Sequence, residues 1–477
     1  MAETKNTTMT LDELKSFLWG AAVRLRGQID AAGYKEYADE QVQELAIRIP
    51  DGAHWNDVRQ ITENVGQRLV EAFIAIEQAN PATETDGRRV GGLGGIFGPK
   101  DGWTNKAKMP DHIITSLIED FSKHNLSLTS CPADEMGQAY EYLVGKFADD
   151  AGNTAQEFYT NRTVVTLMAE ILNPRPDESI YDPTCGSGGM LIKCLTHLKD
   201  KGEEWQGVHV FGQEINGLTS SIARMNLYLN GIEDFSIACA DTLTQPAFLD
   251  GSQLRKFDIV LANPPYSIKQ WNRDAFANDK WGRNFLGTPP QGRADYAFIQ
   301  HILASMNPGA GRCAILLPHG ILFRKEEQEI RKNLIEKDLI EAVIGLGPNL
   351  FFNAPMEACV LVCRNQKPVE LKNKIIFINA VKEVTRKNAE SYLETAHIEK
   401  ITSAYYNRID VPQFCTVATT DQIADNDYSL SIPLYAHALE NDSNQEMISA
   451  EEATLSWNAA HNDAFSAIEK LITLIEQ

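Results

Sequence analysis

The residues best suited to chemistry are Asn263-Pro264-Pro265-Tyr266, which follow directly on the apolar run 257–262. Two prolines fix the backbone and cannot donate, so the Pro264 carbonyl and the Asn263 amide oxygen are both presented as acceptors in a rigid turn. An exocyclic amino group has two N–H donors to be held. Drawing on both concentrates its nitrogen lone pair toward an electrophilic methyl, and Tyr266 supplies a flat surface for the ring that carries the amine. As mere turn chemistry, Asn-Pro-Pro could end any strand. Upstream, the run 179–182 enters Asp182-Pro183-Thr184-Cys185-Gly186-Ser187-Gly188-Gly189 and then an apolar helix start at Met190. Glycines there let the backbone approach a bound nucleoside where a side chain would clash, although the same turn could serve a dinucleotide or simple tight packing. Glu214 and Asp241, the latter followed by Thr242, stand at the ends of the next two strands. One carboxylate there can accept from ribose hydroxyls and the other can reach an adenine amino group; an exposed loop carboxylate or a cap is the plain alternative. The absence of a Gly-x-Gly-x-x-Gly pattern makes a nicotinamide cofactor the weaker reading.

These residues need elements to carry them. Short apolar runs at 179–182, 208–211, 235–238, 257–262, 312–317 and 339–346 read as strands separated by helical patterns. Their alternation predicts a mostly parallel sheet covered on both faces, with ligands at the carboxyl ends of its strands. Ahead of it, Val65, Leu69, Phe73 and Ile76 repeat at helical spacing, as do Leu11, Leu14 and Leu18 behind the capping box Thr10-x-x-Glu13. The glycine-rich stretch Gly91-Gly92-Leu93-Gly94-Gly95 lacks a following Gly-Lys-Ser/Thr and reads as a plain loop. The expected organisation is a helical N-terminal domain over 1–150, a catalytic domain over 151–384 and a mostly helical C-terminal region over 385–477. That last region closes on an amphipathic helix through Ala464, Ile468, Leu471 and Ile475.

The 477 residues include 44 Lys and Arg against 65 Asp and Glu, a net charge of −21. The average surface therefore repels phosphate, and any nucleic-acid contact must come from a local basic groove or a partner. No apolar run approaches the roughly 18–20 residues of a spanning helix, and the first residues lack the apolar stretch of a secretory signal, so no membrane partner and a cytoplasmic location are expected. The eight cysteines contain no C-x-x-C pair and are read as buried, reduced thiols, with no metal site. His301 and His319, each in apolar surroundings, are read as structural rather than as catalytic bases.

Taken together the motifs carry a resemblance. Glu157-Phe158-Tyr159-Thr160, Asp182 through Gly189, Gly212-Gln213-Glu214, Asp241-Thr242-Leu243, Asn263-Pro264-Pro265-Tyr266, Ala294-Asp295-Tyr296-Ala297-Phe298 and Leu317-Pro318-His319-Gly320-Ile321-Leu322-Phe323-Arg324 occur in the order seen in modification subunits of type I restriction-modification systems. The likeness runs from Leu18 to about Pro433. It implies an α/β, Rossmann-like S-adenosylmethionine-dependent methyltransferase sheet with a helical N-terminal domain and a helical C-terminal tail, acting on the N6 amino group of adenine in DNA. It puts the segment Glu157, Phe158, Tyr159, Thr160, Asn161, Arg162 over the methionine end of S-adenosylmethionine and the turn from Cys185 to Gly189 beneath it. It puts Glu214 at the ribose and Asp241 at the adenine ring, with Asp182, Pro183, Thr184 and Thr242 completing the cofactor site. Implied partners are double-stranded DNA, a specificity subunit, a second modification subunit and a restriction/translocase subunit, with the last helix as the candidate docking element.

Two departures stand out. Gln156 and Asn161 replace the usual Gly and Pro of the loop, which predicts a less rigid segment. In addition, Tyr34-Lys35-Glu36-Tyr37 passes straight to Ala38-Asp39-Glu40, where the family continues into a long apolar helix. The same turn chemistry leaves other acceptors open, namely a cytosine N4 amine, RNA or a protein glutamine, and a catalytically silent assembly subunit is the reading of another class.

Overall fold

The structure is a computed structural model, and it describes residues 47–85, 88–98, 100–126, 160–348, 350, 357–387 and 390–436, with isolated positions 14, 15, 136, 139, 142 and 143. Its centre is a nine-stranded sheet built from β1 (Ile180–Asp182), β2 (Val210–Glu214), β3 (Phe235–Cys239), β4 (Ile259–Ala262), β5 (Arg312–Pro318), β6 (Ile340–Leu346), β7 (Ala358–Arg364), β8 (Lys374–Ala380) and β9 (Cys415–Thr419). In space the strands run β3-β2-β1-β4-β5-β7-β6-β8-β9. From β3 to β5 every pair is parallel; β7 is antiparallel to both β5 and β6, β8 is parallel to β6, and β9 closes the edge antiparallel.

Alternation within the strands makes both faces apolar. Ile180, Ile259, Leu261, Ala314 and Leu316 belong to one core, and Tyr181, Val260, Ala262, Ile315 and Leu317 to the other. Such two-sided burial is what a parallel sheet demands, and it explains the continuous apolar runs. The first face is covered by α3 (Arg162–Leu172), α4 (Gly189–Asp200) and α5 (Gly217–Leu229), following α1 (Val65–Ala79) and α2 (Asp111–Phe121) of the N-terminal region. On the opposite face lie α7 (Asp295–Ser305) and α8 (Gln328–Glu336), preceded by the short α6 (Arg273–Ala277). Strand order reverses between β1 and β4, so the residues leaving those two strands emerge side by side at the carboxyl edge. That crevice is where an open α/β sheet accepts ligands.

The N-terminal region holds the expected helix: Val65, Leu69, Phe73 and Ile76 are buried along α1. Asp111, at the start of α2, accepts from Asn64 N at 3.0 Å and Val65 N at 3.1 Å and so caps α1 across 46 or more residues of sequence. The glycine-rich stretch is a docking loop. Gly91 N donates to Phe235 O at 3.0 Å and Gly92 N to the Tyr228 hydroxyl at 2.9 Å, while Arg224 and Ser221 of α5 donate to the carbonyls of Gly94 and Gly95.

The sheet is mostly parallel, as expected: seven strands share one direction, and only β7, which is the apolar run around Cys359 and Cys363, and β9 run against them. Two expectations are corrected. The sheet does not stop at residue 384, and the described residues beyond it are not mostly helical. A hairpin (Thr385–Lys387 with Glu390–Tyr392) leads into α9 (Thr395–Asn407), and β9 then pairs with β8, supplying partners for the backbone groups along its outer edge. Cys239 is exposed at the end of β3, unlike the six other described cysteines. The capping box at Thr10, the Tyr34–Glu40 segment and the amphipathic stretch 464–475 lie outside the described residues, apart from Leu14, which is helical and buried. Among the described residues no helix is long and apolar enough to cross a membrane.

Candidate functional site

At the carboxyl edge of β1 the chain turns through Pro183 into α4. Gly186 and Gly188 adopt φ +52° and +79°, left-handed values that disfavour side chains, and Gly188 caps the helix. The turn hangs on β2: Cys185 N donates to Gln213 O at 2.9 Å and Gly186 N to Glu214 Oε2 at 3.1 Å. Gly212 makes this approach possible, since a Cβ there would stand 2.9 Å from Cys185 Sγ and 2.6 Å from Ile237. Thr242 Oγ1 donates to Pro183 O at 2.5 Å, and Asn226 Nδ2 to Ser187 O at 3.0 Å. Cys185 is buried, and burial, reinforced by Asp182 and Glu214, pushes its thiol well above the ordinary range. It packs as a neutral thiol, not as a nucleophile.

A cavity of about 560 Å³ opens against this turn, lined among others by Thr160, Arg162, Asp182, Thr184, Cys185, Gly186, Ser187, Gly189 and Asn263. That volume suits a small-molecule ligand. Two of its wall groups call for a partner. Thr184 Oγ1 is buried without a hydrogen bond. Asp182, 1% exposed, accepts from Thr184 N at 2.9 Å, yet burial, with a further contribution from the Glu214 carboxylate, pushes its carboxyl up to about 8. A positively charged ligand would return Asp182 to its ionised form. The residues present therefore fit a small, positively charged cofactor with hydrogen-bonding groups.

Glu214 and Asp241 do not line the cavity. Glu214 Oε1 accepts from Asn216 N at 2.8 Å, and Asp241 accepts from Leu243 N at 3.0 Å and Thr244 Oγ1 at 2.7 Å. Both carboxylates serve the turns that carry them, and each oxygen retains lone-pair capacity for a ligand hydroxyl or amine.

Asn263 leaves β4 beside this turn. Its Nδ2 donates to Thr160 Oγ1 at 2.9 Å, which orients the amide, and its Oδ1 is a buried acceptor with no partner. Pro264 is buried, and Pro265 and Tyr266 are half-buried. The Tyr266 hydroxyl lies inside, where burial, with Cys359 and Asp295 nearby, holds the phenol well above its ordinary range and neutral. Ser267 follows at φ +52° and is clasped from a distant helix: its N donates to Asp295 Oδ1 at 3.0 Å, and Arg324 Nη1 donates to Asp295 Oδ2 at 3.2 Å. Asp295 is 1% exposed. Glu327 stands 3.6 Å from the same guanidinium, but burial pushes it up to about 7, so Asp295 is the principal anion for Arg324.

Sequence reasoning quoted Asp295 and Arg324 inside motifs without giving them work. Asp295 opens an apolar helix and Arg324 closes an apolar run ahead of Lys325-Glu326-Glu327, so neither position signals the other.

Of the segment 157–162, Glu157, Phe158 and Tyr159 lie outside the described residues, while Thr160 and Arg162 line the cavity. Gln156 lies outside the described residues, and Asn161 is held by bonds of its own. It caps α3, accepting from Thr163 N at 3.0 Å, and donates to Ser391 O at 2.9 Å; Leu393 N in turn donates to Thr163 Oγ1 at 2.9 Å. An amide that both caps and cross-links does what a proline's fixed φ would do. His301 is buried between the Tyr181 hydroxyl (3.1 Å) and Arg283 (3.3 Å), and burial with that neighbouring cation holds it neutral. It has no path to the cavity through those contacts. Among the described residues no cluster of His, Cys, Asp and Glu could hold a metal ion.

Comparison with known proteins agrees with this geometry. Residues 132–444 match the N-6 DNA Methylase family. The chain is 35% identical over 384 residues to the type I restriction enzyme MjaVIII methylase subunit of Methanocaldococcus jannaschii, covering 77% of this chain and 63% of that protein. It is 32% identical to the HindI methylase subunit of Haemophilus influenzae, over 65% of this chain and 70% of that one. The crystal structure of a type I restriction-modification methyltransferase subunit from Streptococcus thermophilus superposes with a TM-score of 0.75 at 28% identity, over 90% of this chain and all of the other. The chain thus spans a little under two thirds of the Methanocaldococcus relative. Sheet order and these likenesses give it the α/β, Rossmann-like fold of S-adenosylmethionine-dependent methyltransferases. It belongs to the N-6 DNA methylase family.

Proposed function

We propose that the chain is the modification subunit of a type I restriction-modification system and methylates the N6 amino group of adenine in double-stranded DNA, in the cytoplasm. The observation that carries this reading is Asn263 Oδ1, a buried acceptor without a partner on the cavity wall, its amide oriented by Thr160. A buried acceptor left unmade costs free energy unless a ligand donor completes it.

S-adenosylmethionine, when bound, supplies a methyl on a sulfonium sulfur, which a nitrogen lone pair gains as the carbon–sulfur bond breaks. Asp182, Thr184 and the turn from Cys185 to Gly189 hold that cofactor, with Glu214, Asp241, Thr242 and the segment 157–162 around them. Asn263 Oδ1 and the Pro264 carbonyl accept the two N–H bonds of an adenine turned out of the duplex, which orients its lone pair away from both acceptors, and Tyr266 stacks on the ring. The product amine sheds its proton to water, and no side chain is assigned as a base. A specificity subunit, which supplies sequence recognition, a second modification subunit and a restriction/translocase subunit complete the assembly.

The test is transfer of labelled methyl from S-adenosylmethionine to duplex DNA, with and without the specificity subunit, followed by digestion to nucleosides. Label in N6-methyladenine is expected. Label in cytosine or protein, or cofactor binding with no transfer to any duplex, overturns the reading.

A further inference from the structure

Between the catalytic turn and α7 the chain makes an excursion, residues 267–294, whose charge is opposite to that of the molecule. It carries Lys269, Arg273, Lys280, Arg283 and Arg293 against Asp274 and Asp279 and has no glutamate, in a chain of net charge −21. Only α6 is regular within it, yet it is firmly built. Trp271 Nε1 donates to Gln291 O at 2.9 Å, Gln291 Nε2 donates back to Lys269 O at 3.2 Å and Trp271 O at 3.1 Å, and Arg273 Nε donates to Pro289 O at 2.8 Å. Arg283 and Asp279 form a fully buried pair at 2.6 Å, and the same guanidinium donates to Thr242 O at 2.9 Å and Leu243 O at 2.7 Å. One end of the excursion is therefore fastened at Ser267 to the catalytic turn and its body to the turn after β3. It thus runs along the carboxyl rim of the sheet, from the turn that presents Asn263 to the turn after β3.

Its cations divide by role. Arg283 is internal, and Arg293 pairs with Glu326 at 3.1 Å. Lys269 and Lys280 are exposed, and among the described residues neither stands within ion-pair distance of a carboxylate; Lys280 is held over the Trp281 ring, 4.5 Å from its centroid. Two uncompensated ammonium groups on a rigid rim, in a strongly acidic protein, are complementary to a polyanion. Lys269 is three residues beyond Tyr266, within about 10 Å along even a fully extended chain. A nucleotide whose base reaches Asn263 must carry its phosphates past this rim.

We propose that the 267–294 excursion is a phosphate-contact surface, on which Lys269 and Lys280 hold the DNA backbone beside the extruded base. The proposal rests on the DNA-methylating function above and adds the surface that grips the substrate.

Lys269→Gln combined with Lys280→Gln tests it, in whichever assembly transfers methyl to duplex DNA in the preceding experiment. Removing two phosphate contacts should make the slope of log K against log salt shallower by about 2. It should also raise the KM for duplex about tenfold at low salt, while kcat at saturating DNA and S-adenosylmethionine affinity stay within about twofold. Lys372→Gln with Lys374→Gln, exposed lysines at the start of β8 on the opposite edge of the sheet, should leave both readings unchanged. An unchanged salt slope and KM in the 269/280 variant, with the parent assembly active, overturns the inference alone; the same loss in the 372/374 control does so too, since it would reduce the effect to overall charge. A parent assembly that transfers no methyl to any duplex overturns the function itself.

Discussion

The two turns that meet at the crevice are held in different ways. The turn after β1 is made by its own residues and its two neighbours: glycines at φ +52° and +79°, backbone bonds to β2, and a carboxylate from the same strand end. The turn after β4 is rigid over Pro264 and Pro265, but its exit at Ser267 is clasped by Asp295 and Arg324, 28 and 57 residues further on. Local construction suits a turn that wraps a tightly bound small molecule. Remote clasping suits one that must present an acceptor in one orientation while a large substrate arrives and leaves.

Removing the acceptor should separate the two turns most sharply. Asn263→Ala is expected to lower kcat for methyl transfer by 10²–10³-fold, about 2.7–4 kcal/mol, with S-adenosylmethionine affinity by calorimetry close to the parent's. Near-normal turnover would remove Asn263 from the chemistry. The clasp comes next. Asp295→Ala leaves Ser267 N and a largely buried Arg324 without their anion and should destabilise the protein by about 2–3 kcal/mol in denaturant titration. Turnover should fall while cofactor affinity is kept; equal losses in both would make the clasp a general support rather than one for the catalytic turn.

Glu214→Ala addresses the other turn. It removes the acceptor for Gly186 N and, in the proposed site, for the ribose, and it should weaken S-adenosylmethionine binding by about 1.5–3 kcal/mol. Unchanged affinity would leave Glu214 as a turn support only. Asp182→Asn should have little effect on stability near pH 4 and a growing one above it, with a definite sign. The folded carboxyl is raised to about 8 from 3.8, so its contribution to stability is fully present below pH 4 and is lost as pH rises toward 8. The asparagine variant escapes that loss. Its melting temperature should pull progressively ahead of the parent's between pH 4 and 8 and then level off. A constant difference across that range would mean that Asp182 is ionised in the folded protein.

The same contrast explains what could be read from the chain. The turn after β1 was legible because its determinants are contiguous, and β4, β5 and β6 were legible because burial on both faces leaves long apolar runs. The clasp was not, since neither Asp295 nor Arg324 reveals a partner by spacing. Asn161 read as a weakness because its cap to Thr163 is local but its bond to Ser391 is not. The edge strand β9, Cys415–Thr419, is only partly buried and carries two threonines, so its pattern resembled an exposed segment until β8 supplied a neighbour.

The bonds from the 385–392 hairpin region to the start of α3 also bear on how the molecule is made. Asn161 and Ser391, like Thr163 and Leu393, are separated by 230 residues. At about 5–20 residues per second, a ribosome needs on the order of 10–50 s to add that length. Over the second half of that interval a nascent chain already possesses its glycine turn and its Asn263, but not the partners of Asn161 and Thr163. The start of α3 is thus among the last parts of the site to be fastened, and a chain broken off before Ser391 would carry both turns of the site without the bonds that fix Asn161 and Thr163.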